Sequence, residues 1–233
     1  MVGLGGFPGA PPNSGGVAYG TNRDGSVVVG ISTTPSFGGT PFRWTAATGM
    51  QPLGPTFDTS PSGIAFTTSD DGNVLIGQMS TPHGTEAFRW TADTGVVGLG
   101  DLAGGIFQSR AYGISGDGAT IVGQGNIDHP SGVPGGYPAA FIWDAAHGMR
   151  RLQDVLAAEY DLVLPGWRLN EARAISSDGL AIAGVARNPN GDSEAYLVLL
   201  PEPASASLLA LATLLFRRRR AGTSAAARRP AQV

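Results

Sequence analysis

Short apolar runs separated by glycine-rich polar breaks recur along the chain. The clearest runs are Val27-Val28-Val29, Val74-Leu75-Ile76, Thr120-Ile121-Val122 and Ala181-Ile182-Ala183. Each follows an Asp-Gly pair: Asp24-Gly25, Asp71-Gly72, Asp117-Gly118 and Asp178-Gly179. Each is closed by a second glycine, at Gly30, Gly77, Gly123 and Gly184. A continuous apolar run of this length between turn signals predicts a strand buried on both faces. The Asp-Gly pair predicts a tight hairpin, since glycine supplies positive φ at no steric cost.

An aromatic strand follows each run: Phe42-Arg43-Trp44, Phe88-Arg89-Trp90, Phe141-Ile142-Trp143 and, weakly, Tyr196-Leu197-Val198. Alternation places Phe and Trp on one face and Arg43 or Arg89 on the other. A glycine lies at a fixed offset past each Trp (Gly49, Gly95, Gly148), and a leucine lies further on (Leu53, Leu99, Leu152). So many fixed offsets define a repeat. One unit reads as an approach strand such as Ala111–Ser115, a return strand, the aromatic strand and a short fourth strand ending near Leu-Gly. Four short antiparallel strands in such a unit predict an all-β, propeller-like array of about four four-stranded units. A sheet this small cannot bury its face alone, so neighbouring units must cover one another.

The expected units span about 10–56, 57–103, 104–153 and 170–200, within a repeat domain of residues 1–200. An insertion at 154–169 includes a helical turn or two near Leu152–Tyr160 and a strand or loop around Pro165-Gly166-Trp167. The fourth unit lacks its Leu-Gly strand, and Val2-Gly3-Leu4-Gly5 matches Val97-Gly98-Leu99-Gly100. Two readings stand. Residues 1–9 complete the last unit and close a ring, or Met1 is an internal start in a longer gene. Met1 is followed by neither a basic start nor a long apolar run, so no signal peptide is read at this end.

Composition narrows the function. Gly 36 and Pro 17 fit a turn-rich chain, and 42% hydrophobic with 14% charged residues argues for a packed core rather than disorder. Every basic residue is Arg, and Arg217, Arg218, Arg219, Arg220, Arg228 and Arg229 all follow Phe216. The body is therefore net acidic, which excludes a nucleic-acid face. With Cys 0, disulfides and thiolate chemistry are excluded.

These units resemble the extracellular HAF-repeat family of bacteria. The resemblance rests on Ile114-Ser115-Gly116-Asp117-Gly118, Ile175-Ser176-Ser177-Asp178-Gly179 and Glu86-Ala87-Phe88-Arg89-Trp90. It implies architecture and an extracellular location more than an activity. The eponymous His before Ala-Phe is absent; Thr40, Glu86, Ala139 and Glu194 stand there. The end of the chain is similar to the PEP-CTERM sorting signal: Pro201-Glu202-Pro203, an apolar segment at 204–216, then Arg217–Arg220 as a membrane stop. That resemblance implies export, an exosortase-type membrane protease as partner, and membrane anchoring before processing. Arg217–Arg220 would stay cytoplasmic. As a helix, residues 204–216 cover about 20 Å at 1.5 Å per residue, against roughly 30 Å of hydrocarbon. A transient anchor awaiting cleavage tolerates that shortfall better than a permanent one. Residues 221–233 are expected to be a disordered tail.

No catalytic, cofactor or metal site is expected. His83, His129 and His147 have no ligand spacing and read as surface-loop residues. The Asp-Gly aspartates read as turn residues rather than Ca²⁺ ligands, and Asn188-Pro-Asn-Gly-Asp192 is the sequence's best candidate for an accidental cation site. Glu86 and Glu194 share one repeat slot, which favours a structural role. Trp44, Trp90 and Trp143 read as inter-unit core, and Trp167 as a possible ligand contact. The expectation is a non-catalytic structural or interaction protein of the cell surface or extracellular matrix, with extracellular polysaccharide as a possible partner. The alternatives are a carbohydrate-binding module or a polysaccharide-degrading enzyme, the latter requiring Glu159 and Asp161 to meet Arg168 in a deep pocket.

Overall fold

A computed structural model describes residues 1–9, 15–33, 39–54, 62–129, 132 and 135–201. It contains four antiparallel sheets, each a simple meander in chain order. The first holds β1 (Gly16–Thr21), β2 (Val27–Thr33), β3 (Gly39–Thr45) and β4 (Gly49–Pro52). The second holds β5 (Gly63–Thr68), β6 (Leu75–Thr81), β7 (Gly84–Thr91) and β8 (Gly95–Gly98). The third holds β9 (Arg110–Ile114), β10 (Ile121–Ile127), β11 (Tyr137–Asp144) and β12 (Gly148–Arg151). The fourth has three strands: β13 (Arg168–Ile175), β14 (Ala181–Arg187) and β15 (Ser193–Leu199).

The runs of the first two sheets pack on both faces, as their composition requires, while in the run of the fourth only Ile182 is fully buried. Val27 and Val29 join Leu53, Ala65, Leu75 and Phe88 in a core between the first and second sheets. Val28 points the other way, against Phe42 and Trp44. In the second sheet Leu75 faces the first, while Val74 and Ile76 pack with Ile121 and Phe141 of the third. Trp44, Trp90 and Trp143 are half-buried against these clusters. The leucines after Trp44 and Trp90 reach the next sheet: Leu53 packs with Phe88, and Leu99 with Phe141.

Residues 2–5 form no strand, so they do not supply the fourth strand expected for the last sheet. Leu4 and Phe7 instead pack against Phe42 and Met50 of the first sheet. They meet Phe42 as Leu99 and Leu102 meet Phe141. Apolar contact with the first sheet, rather than strand pairing, is what orders this segment.

In the insertion, α1 (Leu152–Tyr160) buries Leu152, Val155 and Leu156. It ends at Asp161, which takes the left-handed conformation at φ 54°. β13 begins at Arg168, slightly before the expected start of the fourth unit. Among the described residues no helix is long and apolar enough to cross a membrane. The expected motif residues Glu202 and Pro203, the 204–216 segment and Arg217–Arg220 lie outside the described residues, and Pro201 is exposed.

Candidate binding surface

Two repeated devices shape the first strand of every sheet. The first is the Asp-Gly turn. Gly25, Gly72, Gly118 and Gly179 have φ between +73° and +77°, and each N–H donates to the carbonyl three residues back. The Asp two residues after the turn's first residue is engaged inside the loop. Asp71 Oδ1 accepts from Ser69 Oγ at 2.6 Å and from Asn73 N at 3.0 Å, and Asp117 accepts from Ser115 Oγ and Ala119 N at 2.6 and 3.0 Å. Asp178 repeats the pattern with Ser176 and Leu180. In the first sheet Asn22 replaces the serine, and its Oδ1 accepts from Val27 N at 2.9 Å. The serine hydroxyl, then the backbone N–H, hold the Asp71, Asp117 and Asp178 carboxyls below the ordinary value of 3.8, and Ser26 does the same for Asp24. These aspartates are turn staples.

The second device is a β-bulge. Register shifts between Ala18 and Gly20, Ala65 and Thr67, Ala111 and Gly113, and Ala172 and Ala174 leave Tyr19, Phe66, Tyr112 and Arg173 as the extra residues. The bulge explains the second glycine of each repeat. A Cβ on Gly30, Gly77, Gly123 or Gly184 would lie 1.8–2.0 Å from the carbonyl oxygen of Val17, Ile64, Arg110 or Glu171. The same glycines are covered by the rings of Phe42, Phe88, Phe141 and Tyr196 at 2.6–2.9 Å from that hypothetical atom.

The bulged residues line up from sheet to sheet. Tyr19 meets Phe66 edge-on at 5.8 Å between centroids, Phe66 meets Tyr112 at 5.6 Å, and the Arg173 guanidinium lies 4.4 Å over the Tyr112 ring. Tyr19 is 49% exposed, and Phe66 and Tyr112 are half-buried. The row is an aromatic ridge ending in a cation, itself paired with Glu171. Burial pushes the Tyr112 phenol up, and Arg173 partly offsets it. This ridge was missed from sequence. Its signal was the aromatic at one fixed repeat position, Tyr19, Phe66 and Tyr112, read there only as part of an approach strand.

Beside the ridge, the turn tips form a backbone ladder: Arg23 N donates to Asp70 O at 3.3 Å, Asp70 N to Gly116 O at 3.0 Å, and Gly116 N to Ser177 O at 2.8 Å. Arg23 also pairs with the Asp70 carboxylate at 3.5 Å.

The residues singled out from sequence fall in separate places. Trp167 is half-buried, and its carbonyl accepts from Gln153 Nε2 at 2.9 Å; it lies outside the aromatic ridge. Glu159 pairs with Arg150, which also pairs with Asp144 at 3.0 Å, so it does not meet Arg168. Glu86 accepts from Gly100 N at 3.0 Å, and Glu194 from Asn188 Nδ2 at 2.5 Å. Asn188 Oδ1 accepts from Asn190 N and Asp192 N, both at 2.9 Å, making that loop a hydrogen-bonded turn. His83 and His147 are exposed turn residues, and His147 bonds Asp144 at 2.9 Å. His129 departs from the surface-loop expectation: it is half-buried against Tyr137 and lines a cleft. Among the described residues no group of three or more His, Cys, Asp and Glu is arranged to hold a metal ion.

No family model matches the chain, and no curated protein matches it. Among solved structures it is similar in fold to TolB from Acinetobacter baumannii, with a TM-score of 0.52 and 17% identity over 80% of this chain and 41% of that one. The chain thus spans less than half of that protein, and the likeness is one of β fold alone.

Proposed function

We propose that this chain is a non-catalytic interaction scaffold of the cell surface or extracellular matrix, exported and handled through its C-terminal tail. Its four sheets are the blades of a propeller-like array. The observation that carries the reading is the aromatic ridge Tyr19–Phe66–Tyr112, ending at Arg173, built by a bulge that every sheet repeats. The repeated aspartates are engaged in turns, which favours a structural use of the acidic groups over a catalytic one. The sorting role rests on the order Pro201-Glu202-Pro203, apolar segment, Arg217–Arg220.

The test expresses the full chain behind a supplied export signal, in a bacterium that carries an exosortase and in the same strain with that protease deleted. Tail-dependent processing and surface display in the first strain, lost in the second and on Glu202→Ala, are the expected result. A full-mass chain in the same fraction of both strains overturns the sorting role.

The exposure of Tyr19 favours a carbohydrate-binding variant of this reading, because sugar rings pack on aromatic faces. Glycan-array binding lost on Tyr19→Ala and Tyr112→Ala together, with the melting transition kept, would establish it.

A further inference from the structure

The fourth sheet departs from the repeat at one place. Its first strand carries a second bulge, between Leu169 and Glu171, that the other three sheets lack. The extra residue is Asn170. Its Oδ1 is buried and accepts no hydrogen bond. Bulges beside sites re-aim a side chain, and a buried unsatisfied acceptor is costly unless something donates to it.

Next to it, Arg168 and Arg187 sit directly opposite each other on β13 and β14. Like charges in that position repel. Elsewhere Arg23, Arg150, Arg151 and Arg173 each pair with a carboxylate, and Arg43 donates to the Gly72 carbonyl. Among the described residues neither Arg168 nor Arg187 pairs with a carboxylate. Arg187 donates to the Gly191 carbonyl at 3.1 Å, and Arg168 lies 5.7 Å over the Tyr137 ring. These groups, with His129 and Pro138, line a cleft of about 310 Å³ between the third and fourth sheets. That volume falls in the range of small-ligand sites, roughly 300–1,000 Å³.

We propose that this cleft binds the carboxylate of an acidic sugar, a uronate unit of a polysaccharide. The two guanidinium groups take the carboxylate, whose planar oxygens match their N–H fork. Asn170, placed by the second bulge, lines the same cleft. Tyr137 supplies an apolar wall for the sugar ring. A neutral sugar leaves the arginines opposed and uncompensated, and a bare oxyanion has no ring to lie against Tyr137. The assignment rests on the scaffold reading above and names a ligand for it, at a site separate from the aromatic ridge.

The experiment is a calorimetric titration of the full chain with three probes: an oligogalacturonate, the matching neutral galactose oligomer, and inorganic phosphate. The oligogalacturonate is expected to bind, the neutral oligomer to show no heat, and phosphate to bind at least tenfold more weakly. Arg168→Ala and Arg187→Ala should each weaken the oligogalacturonate roughly tenfold or more, as loss of a charge-assisted contact does. Arg187→Ala should also melt at or above the wild-type temperature without ligand, because it removes the repulsion; that readout shows the variant folds. Equal affinity for the neutral oligomer, phosphate binding as tight as the uronide, or wild-type affinity in both arginine variants each overturns the proposal. Failure of tail processing in cells leaves this titration unchanged, and Tyr112→Ala should not alter it, so the two readings fail separately.

Discussion

Ser177 donates its hydroxyl to the Asp70 carboxylate at 2.6 Å, although the two lie in the turns of the fourth and second sheets. Between them runs Gly116, the corresponding turn residue of the third sheet, hydrogen-bonded to both neighbours through its backbone. The contact exists because Gly116 has no side chain. A Cβ there would lie 2.1 Å from Ser177 Oγ and 2.7 Å from Asp70 Oδ2. Three successive sheets are thereby tied at one point.

Gly116→Ala should therefore destabilise the repeat domain by about 1–3 kcal/mol, the usual cost of overpacking a tight contact. Adding Ser177→Ala removes the nearer of the two clashing atoms and should recover part of the loss. Urea denaturation of the single and double variants measures this. A double variant no more stable than Gly116→Ala would show that the clash is relieved another way.

The repeat glycines under the aromatic rings should be far less tolerant. On Gly77 the clashing atom is the backbone carbonyl of Ile64, at 1.8 Å, which cannot rotate aside. Gly77→Ala should cost about 3 kcal/mol or more, within the severe class of core substitutions. It should also shift the exposure of the neighbouring bulge residue Phe66. Circular dichroism melting reads the first effect, and a wild-type melting temperature would sink the bulge argument.

Tyr196 offers the opposite sign. It occupies the slot of Phe42, Phe88 and Phe141, over Gly184, but its hydroxyl is buried with no hydrogen-bond partner. Burial, with the Glu171 carboxylate second, pushes its phenol well up, so it stays neutral throughout the working pH range. Tyr196→Phe removes the unsatisfied group and restores the residue of the other repeats. Stability should rise by about 1 kcal/mol. A fall of that size in thermal unfolding would mean the hydroxyl has a donor or acceptor after all.

The sheets were legible in the sequence because each repeat states its needs locally. Asp-Gly marks the turn, the continuous run Val74-Leu75-Ile76 marks a strand buried on both faces, and Phe-x-Trp marks the face that meets the core. The second glycine was seen, but not its cause, because the bulge that places Ile64 O over Gly77 is a property of pairing rather than of either strand. The aromatic ridge was hidden for the same reason: Tyr19, Phe66 and Tyr112 lie 47 and 46 positions apart and meet only when sheets stack. The cleft at Arg168 and Arg187 was hidden because their opposition depends on a register set by two bulges. Trp167, singled out for being outside the repeat, uses its backbone to hold α1 through Gln153 instead.

The turn aspartates make the acid behaviour predictable. Asp24, Asp71, Asp117 and Asp178 have folded-state values depressed below 3.8, so the stability they contribute is present above that value and is lost as pH falls through their lowered range. Asp101 runs the other way. Burial raises its carboxyl despite acceptance from Leu102 N and Gln108 N, so its contribution favours the fold at low pH and fades as pH rises past 3.8. Asp144 is depressed as well, and five against one predicts a net loss of stability below about pH 4. Ser115→Ala isolates one turn. It removes the donor to Asp117 and the acceptor for Thr120 N, and should cost about 1 kcal/mol at pH 7. Protonating Asp117 weakens the same hydroxyl contact in the wild type. The gap between wild type and Ser115→Ala in urea midpoint should therefore narrow between pH 5 and pH 3 (approximate bounds set by the ordinary carboxylate value). A gap that stays constant over that window would show that Asp117 is not held ionised by Ser115.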